Sequence, residues 1–124
     1  MGIKYCEAED IRKIAGRVIE MLGWNHIKID DVSFLRSVGS SSRRIIARCH
    51  ALSVPLQLGL GRKGFYTIEV LSERFDRMSE DEKLKVIIHE LMHIPKTFGG
   101  GFVHHDKVCD RSVSQLFERY KSTI

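Results

Sequence analysis

The stretch MSEDEKLKVIIHELMHIP, residues 78–95, commits this chain to at least one buried helix. Leu84, Ile87, Ile88 and Leu91 recur at three- and four-residue spacing, so they fall on one face and predict a buried stripe. Ser79 with Glu82 three residues on makes a capping-box pair. Asp81 and Glu82 add negative charge in the first turn, where the helix dipole favours it. Pro95 sets the far end, because the residue before a proline is pushed out of the α region.

The rest of the pattern builds around that helix. Ile11, Ile14, Ala15, Val18, Ile19 and Leu22 share a face and predict a helix as the first element, with Glu7, Glu9 and Asp10 in its first turn and Gly23 as its stop. DVSFLRSV (31–38) and RRIIARCHAL (43–52) are rich in β-branched and apolar residues. GSSS separates them, which predicts a hairpin whose second strand Pro55 closes. GFYTIEVL (64–71) reads as a third strand. Its alternation puts Phe65, Thr67, Glu69 and Leu71 on one side and Tyr66, Ile68 and Val70 on the other. Val113, Leu116, Phe117 and Tyr120 mark a last helix. The expectation is an α+β fold: N-terminal helix, a small, mostly antiparallel sheet of three to four strands, the central helix, and a C-terminal helix. A chain of 124 residues suits one domain over 1–124, and 43% hydrophobic content can fill its core, with Trp24 and Phe34 expected inside.

Composition narrows the setting. Cys6, Cys49 and Cys109 are an odd number at wide spacing, which argues against a disulfide framework and for a reducing cytoplasm; each is expected to be a small, partly buried thiol. The polar N-terminus lacks the apolar core of a signal peptide, and no apolar run reaches the eighteen or so residues of a membrane span. A soluble, cytoplasmic protein is expected. The net charge of +4 is too mild for a dedicated nucleic-acid binder, and the basic knots at 40–44 and 61–64 read first as solvated turns.

Within the central helix, His89, Glu90 and His93 form an HExxH pattern. Residues four apart stack on one face, so the two imidazoles can serve one ion. Glu90 is set beside them, facing the space where a water would sit. Zinc on neutral nitrogens makes a bound water acidic, and a carboxylate next to that water can act as its base. The plain alternative is a chance match on a surface helix. Against it stand the apolar flanks (Val86, Ile87, Ile88, Leu91, Met92, Ile94), an upstream strand, and further histidines downstream.

A third protein ligand is needed. The HExxHxxGxxH pattern requires Gly at 96 and His at 99, but the chain has Lys96 and Gly99. Glu118 is the glutamate available on the following helix, though its neighbours Phe117 and Tyr120 look core-facing; Asp110 is a poorer alternative and Cys109 an off-pathway one. His104 and His105 remain, reached after the run Gly99–Gly101, which lets the chain double back toward the helix end. One of this pair is expected to bind metal. The other is either a donor to a substrate carbonyl or a bystander.

HELMHIPKTFGGGFVHHD (89–106) resembles the signature of a small metallopeptidase family of archaea and phages: HELxHIP, a Phe–x–Gly run, then a histidine. That family is more distantly similar to SprT-like zincins. The resemblance implies a minimal zincin fold, a zinc-dependent peptidase, and zinc on His89, His93 and His105, with His104 as the alternative third ligand. Glu90 would be the catalytic base.

In zincins a peptide substrate lies extended along the edge strand above the metal helix. The 64–71 strand is the candidate here, with Tyr66 and Ile68 as substrate-binding residues. Two other functions stay in view. One is a zinc hydrolase that does not cleave peptides, or an inactive metal-binding module. The other is a nucleic-acid-associated module working through the basic turns, whose affinity would fall steeply with salt. His26 and His50, outside the motif, are expected to be structural or solvated, and the spacing of Tyr66 and Tyr120 assigns them no catalytic role.

Overall fold

The computed structural model describes residues 2–123. Strand β1 (Lys4–Glu7) leads into helix α1 (Glu9–Leu22). A 3-10 turn (Ile29–Asp31), strand β2 (Val32–Val38), strand β3 (Ala47–Ala51), helix α2 (Val54–Leu60) and strand β4 (Tyr66–Leu71) follow. The one-turn helix α3 (Ser72–Phe75) and helices α4 (Glu80–Met92) and α5 (Asp110–Thr123) complete the chain. The four strands make one mixed sheet in the order β1-β2-β4-β3, with β2 and β4 parallel and the other two pairs antiparallel. The fold is α+β, compatible with a small zincin-like domain. Among the described residues no helix is long and apolar enough to cross a membrane.

Helices α1, α4 and α5 pack on one another and on the sheet. Ile11, Ala15 and Val18 of α1, Ile87, Ile88 and Leu91 of α4, and Val113, Phe117 and Tyr120 of α5 meet Phe34, Tyr66, Ile68 and Val70 in one core. Trp24 is only partly buried against it. The capping box at the start of α4 is formed: the Glu82 N–H donates to Ser79 Oγ at 3.2 Å, and the Ser79 N–H donates to the Glu82 carboxylate at 3.2 Å. Removing such a cap costs about 1 kcal/mol, so this helix is anchored at the end far from His93.

Several expectations are corrected. A strand, β1, precedes the first helix, and Glu7 belongs to it. All four of its residues are exposed, so it carries no alternation to read. β2 and β3 do not form a hairpin, because β4 lies between them. β4 is buried on both faces: Tyr66, Ile68 and Val70 enter the helical core, while Glu69 and Leu71 are buried on the opposite face. A strand with two covered faces belongs in a sheet's interior, with a neighbour on each side. It is therefore not an edge strand. Pro55 opens α2 rather than closing β3; in a first turn its missing N–H costs nothing. Cys6 and Cys109 are exposed and only Cys49 is partly buried.

Glu69 survives burial because it has two partners. Ser37 Oγ donates to Glu69 Oε2 at 2.6 Å, and His50 Nε2 lies 2.8 Å from Oε1. His50 is thus a structural partner, and His26 Nε2 lies 3.3 Å from the Ile94 carbonyl.

Candidate metal centre and cleft

His89 sits in the last turn of α4 and His93 is the residue that caps it. Their Nε2 atoms are 3.2 Å apart. His105 comes from the segment between α4 and α5, and one ring nitrogen from each of the three lies within 4.8 Å of the others. Glu90 packs beside them, 7% exposed, with Oε2 3.9 Å from His89 Nε2. His104 lines the same cleft but stands outside that trio, and Glu118 and Asp110 are exposed on α5, outside it too.

The electrostatics keep these nitrogens available. Burial, and after it the positive charge that His93 and His105 would carry, holds the His89 imidazolium less stable than usual, so its pKa is lowered. Burial does the same to His93, more than offsetting its hydrogen bond with Val103. Both rings therefore stay neutral to lower pH than a free histidine. Burial also pushes the Glu90 carboxyl up to about 7. The Cys49 thiol, facing the same space, is pushed up to about 12 by burial and by Glu90, so it stays protonated and a poor ligand.

The family model described as "Putative phage metallopeptidase" matches residues 3–121. The chain belongs to that family. No curated protein and no solved structure matches it. The residues of this chain fit a metal ion on their own geometry. Nitrogens about 2.0–2.1 Å from a tetrahedral zinc stand ~3.3 Å from each other, and the observed 3.2 Å between His89 and His93 matches that edge. Two neutral imidazoles this close can turn both Nε2 atoms to one ion. His93 Nδ1 lies 2.6 Å from the Val103 carbonyl, which assigns the proton to Nδ1 and leaves Nε2 bare.

The histidines and Glu90 floor a cleft of about 330 Å3 whose other wall is β3, with Ala47, Arg48 and Cys49, and whose rim carries Phe102 and His104. β3 is the terminal strand of the sheet, so its outer edge is unpaired. Tyr66 and Ile68, expected to meet substrate, are instead wholly buried, and β4 hydrogen-bonds on both sides. The Tyr66 hydroxyl is occupied by Gly100 and Gly101, so it is no free oxyanion donor. The edge residues Ala47 and Cys49 went unrecognised because RRIIARCHAL shows apolar character without its position in the sheet. Strand order depends on contacts distant in sequence.

The run Gly99–Gly101 does let the chain turn, but only Gly100 uses a positive φ, of 107°. A Cβ there would meet Gln57 Nε2 at 2.6 Å and the Leu52 carbonyl oxygen at 2.8 Å.

Proposed function

We propose that this protein is a zinc-dependent peptidase in which His89, His93 and His105 hold the ion and Glu90 is the general base. The observation that carries the reading is the convergence of three histidine nitrogens within 4.8 Å, with a buried carboxylate beside them. A zinc ion on three neutral imidazoles supplies Lewis acidity and brings a water's pKa down to roughly 7. Glu90 accepts the proton of the attacking water and later delivers it to the leaving amine. His104, on the rim of the same cleft, is assigned as donor to the scissile carbonyl oxygen as negative charge grows there.

The substrate is an extended peptide or protein segment. Free backbone groups along β3 would pair with it as an added strand, and this pairing is tolerant of sequence. The cleft is shallow, so selectivity rests on the few side chains of its walls.

Metal content by elemental analysis of untagged protein tests the ligand set. One zinc per chain is expected in wild type and in His104→Ala, and loss of it in His105→Ala. The reverse pattern would exchange the two histidines. Absence of zinc from every variant, including after reconstitution, would refute the reading. Hydrolysis of an unstructured protein such as casein, retained in wild type and depressed in His104→Ala, separates the donor role from ligation.

A further inference from the structure

The third ligand is carried by a segment without regular secondary structure, residues 94–109. A histidine on a loose segment would reach the ion only after that segment had been ordered, and the ordering would subtract from metal affinity. Something must hold the segment in place beforehand.

The ties are concentrated on three consecutive glycines. Gln57 Nε2, from the exposed helix α2, donates to the Leu52 carbonyl at 2.8 Å and to the Gly99 carbonyl at 3.0 Å. The Gly100 N–H donates to Tyr66 Oη at 2.9 Å, and Tyr66 Oη donates to the Gly101 carbonyl at 2.8 Å. One hydroxyl thus serves a donor and an acceptor on adjacent residues, which a phenyl ring cannot do. Tyr66 is wholly buried on the interior strand, and its ring packs edge-on against Phe98 at 4.9 Å, so the hydroxyl is a rigid post. Beyond it, the Val103 N–H donates to the His93 carbonyl at 2.8 Å, and His105 follows two residues later. Gly64 completes the seat, since a Cβ there would run into the Phe98 carbonyl oxygen.

We infer that the Tyr66 hydroxyl, seconded by Gln57, is a positioning group for the metal centre, holding the Gly99–Gly101 run so that His105 faces His89 and His93. Tyr66 touches neither ion nor substrate and acts through His105. The inference rests on the ligand set proposed above. The hydroxyl must keep its proton to donate to Gly101, and burial raises its pKa, outweighing the Gly100 N–H, which favours the charged form.

The test is a zinc titration of metal-free protein against a competing chelator, with the visible spectrum of the cobalt-substituted protein as a second readout. Tyr66→Phe is expected to weaken zinc binding by about 10–100-fold, the range for supports of metal ligands, and to alter the cobalt bands. Gln57→Ala, on an exposed helix and safe for folding, is expected to weaken it in the same direction by a smaller factor. In a His105→Ala background the two remaining histidines hold zinc too weakly to keep it through purification but still allow it to be titrated. There neither substitution should weaken binding further, because residues that act as one unit are not additive. Equal zinc affinity in wild type, Tyr66→Phe and Gln57→Ala would overturn the inference while leaving the ligand set standing. Additive losses in the His105→Ala background would also overturn it, by making Tyr66 merely structural. A wild type that takes up no zinc would remove the ligand set, and this inference with it.

Discussion

His93 and Val103 are bonded twice: the ring Nδ1 lies 2.6 Å from the Val103 carbonyl oxygen, and the Val103 N–H donates to the His93 carbonyl at 2.8 Å. One residue at the end of α4 therefore fixes both its own tautomer and the path of the chain that brings His105. Long-range 15N–1H correlation spectra of metal-free protein at pH 8 should show His93 protonated at Nδ1, with Nε2 bare. A dominant Nε2–H form would contradict the assignment.

In the proposed mechanism Glu90 carries the proton chemistry and no metal–ligand bond, so the two properties should separate. Glu90→Gln keeps the shape and removes the base. It is expected to retain one zinc per chain while hydrolysis falls by about 10²–10⁴-fold, the usual span for a general base. Loss of zinc alongside activity would instead make Glu90 a support of the ligands.

How far the sequence disclosed this arrangement depends on the range of the interactions. The cap of α4, its buried stripe and the i, i+4 pair His89–His93 are local, and the structure places them where the periodicity does. The position of β3 beside the cleft is not local. It depends on β4 entering between β2 and β3, which satisfies two faces of β4 at once, and no short window of sequence contains that fact. The bonds of Gln57 and Tyr66 to the glycine run span 42 and 35 residues, and neither side chain belongs to a recognisable motif. The pair Glu69–His50 was equally hidden, since a charged residue in a strand reads as solvent-facing until its partners are seen.

Glu69 predicts an acid dependence. Burial alone would raise its pKa, but the Ser37 hydroxyl and His50 ring outweigh that and hold it below the usual carboxylate range. A carboxyl lowered in the folded state contributes stability above its unfolded pKa and loses it as the pH falls through its folded value. Glu69→Gln should cost about 1.5–3 kcal/mol at pH 7, the scale of hydrogen bonds to a charged group. The gap from wild type should narrow as the pH drops below the carboxylate range, because wild-type Glu69 then becomes neutral as well. Urea denaturation at a series of pH values measures this; a gap that widened in acid would reverse the sign.

The open edge of β3 makes the last prediction. The Leu71 N–H donates to the Ile46 carbonyl at 2.8 Å, and the Leu52 N–H donates to the Phe65 carbonyl at 2.9 Å. Antiparallel pairing alternates, so Arg48 and His50 also turn their backbone groups to β4, and Ala47, Cys49 and Ala51 turn theirs outward. Proline is tolerated on an edge strand when its missing N–H faces outward. Ala47→Pro should therefore keep the sheet and the zinc, yet remove one N–H from the surface where an extended peptide would pair. The expected result is unchanged zinc content and circular dichroism, with kcat/KM on peptides lowered roughly 10-fold, about one hydrogen bond's worth. Unchanged kcat/KM with the strand intact would move the substrate off β3 and onto the opposite wall of the cleft.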